Sequence, residues 1–299
     1  MKYSILFVLS FSLFLILISC SNRNNKHIVA IVDEEIVESS AINTLVEKDI
    51  YEYLYKIYEI RYAVTQEYLR VILLKKAAEE NNITIDSILK SYKNNHKNNI
   101  INEELLRKQL IDSLFIHYNA QILLEEPIAP LMRIDKALIH VRGNEDSNIT
   151  ITELSDFDCG ICSYLHKGYL SLYNQYSNRV KFVHSTFSSE VSPSARAALA
   201  AGMQDRYWEM SDTLFAMQVP ADSMTVMNIA MQMELDFDQF VSDYTSEENI
   251  NLLSENNAYL SSCGVEQTPT ILLNGHPMRK PNDIKYISDH IDRILNETN

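Results

Sequence analysis

Residues 149–162 read ITITELSDFDCGIC, and this stretch decides the fold of the chain. Its β-branched beginning is typical of a strand. The apolar residues after it recur at spacings of four, four, three and four, which is one stripe at helical period: Ile161, Leu165, Tyr169, Leu172 and Tyr176. The sequence therefore predicts that the Cys-x-x-Cys motif lies where a strand passes into a helix, with Cys159 at the helix N-terminus.

This position suits thiol chemistry. The thiolate is the nucleophilic form of cysteine, and the unpaired N–H groups and dipole of a helix N-terminus favour it. Cys162 lies one turn further and is directed back towards Cys159. Attack by Cys159 on a substrate disulfide would give a mixed disulfide that Cys162 then resolves, and the reverse reaction would donate a disulfide to a substrate dithiol.

Other uses of these cysteines fit the sequence less well. A zinc site needs four ligands, which usually include a second Cys-x-x-Cys or a closely spaced His pair. Cys263, His166 and His184 are scattered, so we predict no metal and no cofactor. An ordinary structural disulfide is the remaining alternative for the pair. Cys263 precedes Gly264, a predicted helix C-cap, and is interpreted as a small core residue, with a regulatory thiol as the alternative.

The beginning of the chain has the pattern of an export signal. Lys2 precedes an apolar run from Ile5 to Ile18 that is shorter than the roughly 20 residues needed to span a bilayer. The ending Leu-Ile-Ser-Cys resembles a bacterial lipobox. We therefore expect residues 1–19 to be a lipoprotein signal peptide, Cys20 to carry the lipid and residues 20–26 to be a tether. An uncleaved anchor, or an ordinary signal with an incidental Cys20, is the alternative.

The charge balance restricts the partners. The chain has 40 acidic and 26 basic residues and a net charge of −14. Binding to nucleic acid needs clustered Lys and Arg that displace counterions from phosphates. We therefore exclude nucleic acid as a partner and expect contact with the membrane only through the lipid anchor.

The sequence changes character near residue 127, which divides it into two predicted domains. The first covers residues 27–126 and is mainly helical. It opens with a hairpin over residues 27–37, around the acidic turn at Asp33. The first helix that we predict next begins at Ser39 or Ser40 and continues to Arg61, and a second helix ends near Asn81-Asn82. A short helix then starts at Ile83, and a longer one runs to about Leu124, where Pro127 stops it.

The first domain resembles the N-terminal region of SurA and trigger-factor-type chaperones. The resemblance covers roughly residues 27–125 and rests on the hairpin, the long helices and the segment LLKKAAEENNITID at residues 73–86. It implies a region that holds unfolded clients. A helical spacer without a binding role is the alternative, and no prolyl-isomerase domain follows.

The second domain, residues 127–299, resembles the DsbA-like branch of the thioredoxin superfamily. Three segments carry the resemblance besides ITITELSDFDCGIC: ARAALAA at 195–201, YWEMSDTLF at 207–215 and GVEQTPTILLNG at 264–275. The implied fold class is α/β. It is a thioredoxin-like fold with a helical subdomain inserted at about residues 190–262, preceded by the mainly helical SurA-N-like domain.

The resemblance assigns three further site residues. Pro269 would be the cis-proline that faces the cysteine pair, and Thr268 would offer backbone groups to an extended substrate peptide. Glu153 would be the buried acid beneath the disulfide, with a raised pKa, and would exchange the proton of Cys162. Strand alternation places it on one face with Ile151 and Ser155. A solvent-facing Glu153 is the alternative.

The sequence departs from this family between the two cysteines. Gly160-Ile161 replaces the Pro-His of strong oxidases, so no imidazole in the motif stabilises the Cys159 thiolate. Asp156 and Asp158 add negative charge that opposes thiolate formation. We therefore expect a Cys159 pKa that is less depressed, and a disulfide potential that is lower, than in the strongest oxidases.

Together these patterns predict a thiol–disulfide oxidoreductase on the periplasmic side of a bacterial envelope. Its expected partners are unfolded or cysteine-containing exported proteins and a redox partner protein in the envelope. The direction of electron flow stays open. The alternative function is a chaperone or peptide-binding lipoprotein with little redox activity.

Overall fold

The structure of the chain is a computed structural model that describes residues 28–32, 35–95 and 102–297. The predicted signal peptide, Cys20 and the tether lie outside the described residues, as does the predicted acidic turn at Asp33. The chain divides into two compact units between Ile128 and Ala129. No helix in the described ranges combines the length and apolarity needed to cross a membrane.

The first unit consists of a hairpin and helices. Strands β1 (Ile28–Val32) and β2 (Glu35–Glu38) pair antiparallel, which confirms the predicted hairpin. The helices are α1 (Ser39–Glu80), α2 (Ile85–Asn95) and α3 (Glu103–His117). Ala77 and Ala78 of α1 pack with Ile88 of α2 and Leu110 of α3, so the core of this unit lies at the C-terminal end of α1.

The α1 helix is one continuous helix of 42 residues, where the sequence pattern predicted two. No Gly or Pro interrupts residues 39–80, so nothing in the sequence breaks the backbone hydrogen bonds. The helix ends as predicted at Asn81, whose N–H donates to Ala77. At its start the N-cap position is Glu38 and no side chain caps the helix, so the predicted serine cap is wrong.

The α3 helix ends earlier than predicted. It stops at His117, well before Leu124 and Pro127. Asn119 takes a left-handed backbone with φ of 47°, and the N–H of Ala120 donates to the carbonyl of Phe115 at 2.9 Å. This turn satisfies the last carbonyls of the helix, so proline is not what stops it.

The second unit is built around a mixed sheet in the strand order β3-β5-β4-β6-β7. Strands β4 and β5 are parallel and the other neighbours are antiparallel. The elements before the insertion are β3 (His140–Gly143), β4 (Thr150–Ser155), α4 (Gly160–Tyr176) and β5 (Lys181–Thr186). Those after it are β6 (Thr270–Leu273), β7 (His276–Pro277) and α10 (Ile284–Glu297). This is the predicted thioredoxin-like α/β arrangement.

Five helices fill the described segment between β5 and β6. They are α5 (Pro193–Gly202), α6 (Tyr207–Ala216), α7 (Ser223–Gln232), α8 (Phe237–Thr245) and α9 (Glu247–Ser262). The α9 helix ends as predicted, with Cys263 as C-cap and Gly264 at φ of 92°. Cys263 is only partly buried, so its interpretation as a core residue is not supported.

Three hydrophobic clusters hold the second unit together. On one face of the sheet, Ile151 of β4 packs with α4 and α10. In another cluster, Leu154 and Leu272 of the sheet pack with Leu260 of α9. The third cluster fills the helical insertion and includes Cys162. The buried thiol of α4 therefore packs into the core of the helical insertion.

Leu260 and Leu252 offer a matched test of this packing, because both lie on α9 and only Leu260 is fully buried. We predict that Leu260→Ala lowers the free energy of unfolding by about 2–5 kcal/mol, since it leaves a cavity against the sheet. Leu252→Ala should change it by about 0.5 kcal/mol or less. Denaturant unfolding measures both values, and equal losses would contradict the described core.

Candidate active site

The turn between β4 and α4 fixes the position of Cys159. The N–H of Asp158 donates to Asp156 Oδ1 at 3.0 Å, and the N–H of Cys159 donates to the Asp156 carbonyl at 3.1 Å. Cys159 is the N-cap residue of α4, and its Sγ accepts the N–H of Cys162 at 3.3 Å. Because helix N-termini stabilise negative charge, the location favours a thiolate at Cys159.

The two thiols have different environments. Cys159 is partly exposed, whereas Cys162 is 1% exposed, and both are free. Partial burial opposes ionisation of Cys159, but hydrogen bonds from Cys162, Thr268 and Ile161 outweigh it and lower its pKa. Burial, followed by the Cys159 side chain, raises the pKa of Cys162 well above its usual range. Cys159 is therefore the accessible nucleophile, and Cys162 is a protonated thiol held behind it.

The segment before β6 lies opposite Cys159. The Thr268–Pro269 peptide bond is cis, as the sequence resemblance implies. Strand β6 pairs antiparallel with β4, with Thr270 opposite Leu154, and this pairing brings Thr268 to the motif. The Cys159 thiol donates to the Thr268 carbonyl at 3.7 Å. The structure therefore places Thr268 and Pro269 against the predicted nucleophile.

Glu153 lies in the middle of β4, the strand that leads into the motif. It lines a small cavity of about 20 Å³ together with residues from β3, β4, α4, β5, α6 and β6: Arg142, Ile151, Tyr169, Leu172, Phe182, Val183, Trp208 and Ile271. Burial is the main reason that the pKa of Glu153 is raised to about 7, while Ser155 and Arg142 lower it and Asp212 raises it. Glu153 is partly buried rather than fully exposed, and a carboxyl with this pKa can exchange a proton near neutral pH.

The residues around the motif differ from the sequence pattern at two points. Ile161 is 54% exposed, so the apolar stripe of α4 begins at Leu165. Ile161 lies in the first turn, between the two thiols, before the helix reaches the core. Asp156 and Asp158 are not among the groups that shift the pKa of Cys159. Asp158 instead accepts a hydrogen bond from Ser194 Oγ at 2.8 Å.

Sequence reasoning missed a set of polar residues behind the motif. Ser155 Oγ is 2.7 Å from His184 Nε2, and His184 Nδ1 is 2.5 Å from the Tyr207 hydroxyl. Burial is the first cause that lowers the pKa of His184 to about 3, so its ring is neutral. Arg142 and Asp212 form an ion pair nearby. No motif marks these residues, since they come from β3, β4, β5 and α6.

The described residues give no indication of a metal centre. No group of three or more His, Cys, Asp or Glu side chains among them is arranged to hold a metal ion. His166, which the sequence analysis set aside as a ligand, stacks on Phe215 with a centroid distance of 5.1 Å.

Comparison with known proteins identifies the family. Residues 137–293, which are more than half of the chain, match the family described as thioredoxin. The chain belongs to the thioredoxin family. The match includes both cysteines of the motif, Glu153, Thr268 and Pro269.

Curated relatives of this thioredoxin-family chain are larger proteins. A Na(+)/H(+) antiporter NhaA from Herminiimonas arsenicoxydans is 27% identical over 157 residues, which are 52% of this chain and 25% of that protein. A Na(+)/H(+) antiporter NhaA 1 from Mycolicibacterium gilvum is 29% identical over 167 residues, with coverages of 53% and 27%. The chain thus spans about a quarter of the length of these relatives.

Solved structures in the comparison are similar over the second half of the chain. A thioredoxin-like oxidoreductase from Silicibacter pomeroyi DSS-3 has 24% identity, a TM-score of 0.46 and coverages of 53% of this chain and 92% of that one. The oxidised form of BdbD from Bacillus subtilis has 17% identity and a TM-score of 0.47, and the similarity covers 56% of this chain and 98% of that one. Wolbachia pipientis alpha-DsbA1 has 15% identity and a TM-score of 0.48, and the similarity covers 56% of this chain and 94% of that one.

The raised pKa of Glu153 gives a pH-dependent stability that can be measured. A carboxyl with a pKa of about 7 in the folded protein and an ordinary pKa of 4.5 in the unfolded chain stabilises the fold below pH 4.5, and this contribution is lost as the pH rises through 7. We predict that Glu153→Gln gains up to about 3 kcal/mol of unfolding free energy relative to the unaltered chain between about pH 4 and about pH 8.

Denaturant unfolding under reducing conditions measures this difference. Glu255→Gln is the matched control, because Glu255 is exposed on α9. Its unfolding free energy should follow that of the unaltered chain at both pH values. If the difference in unfolding free energy between Glu153→Gln and the unaltered chain does not change with pH, Glu153 does not have the raised pKa that this account requires.

Proposed function

We propose that the chain is a thiol–disulfide oxidoreductase that acts on exported proteins through the Cys159–Cys162 pair. The observation that carries the proposal is the pairing of a partly exposed, N-capping Cys159 with a buried Cys162, opposite Thr268 and the cis-proline Pro269. Membership of the thioredoxin family supports oxidoreductase chemistry at this level. The substrates and the direction of electron flow belong to the proposal.

The reaction needs two exchanges of sulfur partners. The Cys159 thiolate attacks one sulfur of a substrate disulfide, forms a mixed disulfide and releases the first substrate thiolate. Cys162 then loses its proton to Glu153 and attacks Cys159 Sγ, which releases the second substrate thiolate. The substrate has gained two electrons and the Cys159–Cys162 pair is now a disulfide. The same steps in reverse oxidise a substrate dithiol.

Thr268 and Pro269 provide the substrate-binding position in this proposal. The Thr268 carbonyl already accepts a hydrogen bond from Cys159 in the free protein. An extended peptide bound beside this segment would bring its cysteine sulfur to the nucleophile. Backbone contacts of this kind accept many sequences, as an enzyme that acts on varied unfolded proteins requires.

The cellular setting follows from the export signal. We propose that Cys20 anchors the protein by lipid to the periplasmic side of a bacterial envelope, where disulfides form and persist. A redox partner protein in the envelope would return the Cys159–Cys162 pair to its starting state after each cycle. The clients would be exported proteins with cysteines.

The first unit would hold unfolded clients, as the SurA-like resemblance implies. Large apolar side chains along α1 are strongly exposed, among them Leu45 at 80%, Val64 at 64% and Tyr68 at 68%. Exposed apolar surface of this kind is typical of binding sites. It is also the observation that favours the second candidate function, a peptide-binding chaperone with little redox activity.

Insulin reduction separates the two functions. We predict that the unaltered protein accelerates reduction of insulin by dithiothreitol and that Cys159→Ser abolishes the acceleration, because no nucleophile remains to form the mixed disulfide. Cys263→Ser is the matched control and should keep the full rate, since Cys263 lies at the end of α9. Equal rates with Cys159→Ser and the unaltered protein would refute the enzyme and favour the chaperone.

A further inference from the structure

Arg142 is a buried cation that the mechanism above does not use. Its guanidinium lies between the rings of Trp208 and Tyr173, with its central carbon 4.0 and 4.3 Å from the two centroids. Only 14% of its side chain is exposed. Stacking on two rings fixes the position of the charge, and arginine is suited to this because its planar group remains protonated.

Asp212 of α6 holds the same guanidinium from the insertion. Arg142 Nη1 donates to both carboxylate oxygens of Asp212, at 3.0 and 3.2 Å. Since Arg142 lies on β3 and Asp212 on α6, the pair connects the sheet to the insertion. The side chain of Asp212 is 33% exposed, so the pair extends from the interior to the solvent.

Arg142 also lines the small cavity that Glu153 lines. The Arg142 Nε donor is buried and has no hydrogen-bond partner. The cavity of about 20 Å³ is large enough for about one water molecule, which requires roughly 10–15 Å³. A buried donor without a partner is costly, and the charged groups of Arg142 and Glu153 share one otherwise mostly apolar cavity.

We propose that the Arg142–Asp212 ion pair is the positioning element that sets the charge state in which Glu153 meets Cys162, so that helix α6 controls the pH range of the resolving step. The two members act with opposite sign. The Arg142 charge favours the Glu153 carboxylate, and the Asp212 charge disfavours it. This inference rests on the proposed function, since it concerns the same dithiol and the same acid.

Other titratable groups surround Glu153, and they are distributed over α4, β5 and α6: Cys162, His166, Tyr169, His184 and Tyr207. Burial lowers the pKa of both histidines and raises the pKa of both tyrosines, so these rings are neutral near pH 7. His166 Nε2 lies 3.6 Å from Asp212 Oδ1 without a hydrogen bond. Among the residues that the structure describes, the charged side chains that act on Glu153 are therefore those of Arg142 and Asp212.

The resolving step can be measured directly with glutathione disulfide. Reduced protein attacks this reagent through Cys159, and acid quenching at successive times follows the release of the second glutathione as Cys162 forms the disulfide. For the unaltered protein we expect the rate of this second release to rise with pH, with a midpoint near 7, where Glu153 becomes the carboxylate that accepts the Cys162 proton.

The variants should move this midpoint in opposite directions. Asp212→Asn leaves the Arg142 charge unopposed and should lower the midpoint by about one pH unit or more. Arg142→Met removes the cation and should raise it by a similar amount, whereas Arg142→Lys should keep it close to the original value. Glu209→Gln removes the same charge from an exposed position of α6 and should leave the profile unchanged.

The possible outcomes are distinguishable. Fluorescence emission from Trp208, the only tryptophan, reports whether each Arg142 variant is folded. If Arg142→Met does not fold, the pH profile of Asp212→Asn, whose side chain is partly exposed, tests the inference alone. An unchanged midpoint in Asp212→Asn would overturn the inference while leaving the oxidoreductase intact. Failure of the unaltered protein to form any mixed disulfide would instead overturn the proposed function.

Discussion

The pairing of β4 with β6 is the interaction on which the active-site geometry depends. Thr270 lies opposite Leu154 in this antiparallel pair, and the register brings Thr268 to the end of β4. The turn after β4 places Cys159 at the start of α4, where its thiol contacts the Thr268 carbonyl. Two segments more than a hundred residues apart thus meet because neighbouring strands align them. The helical insertion occupies the sequence between them without disturbing this register.

The chemistry follows from unequal burial of two identical side chains. Cys159 caps a helix at a partly exposed position, and the hydrogen bonds that it accepts there lower its pKa. Cys162 lies in a hydrophobic cluster, and burial raises its pKa. A buried thiol with a raised pKa needs a base when it acts. Glu153, with a pKa raised to about 7, acts electrostatically on Cys162, and Arg142 lines the same cavity as Glu153. The site therefore depends on charges inside the core as much as on the motif.

The sequence predicted the parts of this structure that depend on local pattern. The strand–turn–helix around Cys159, the hairpin and the end of α9 follow from spacing and capping, whereas the cis bond at Pro269 was implied by the family resemblance. The predicted C-terminal end of α3 and the predicted place of Ile161 in the apolar stripe of α4 were wrong. A left-handed turn after a helix, and the position of a helix end relative to the core, leave little trace in the periodicity of the sequence. The Arg142–Asp212 pair was missed because only the folded chain brings β3 and α6 together.

The central claim is that Cys159 and Cys162 form one reversible redox couple. Equilibration with glutathione redox buffers, followed by alkylation of the remaining thiols, measures its reduction potential. The account predicts a single two-electron transition at a potential below about −120 mV, the value of a strong oxidase, because Gly160-Ile161 supplies no imidazole to stabilise the Cys159 thiolate. A pair that stays reduced in every buffer would contradict the account, and a transition at about −120 mV would contradict its explanation of the motif.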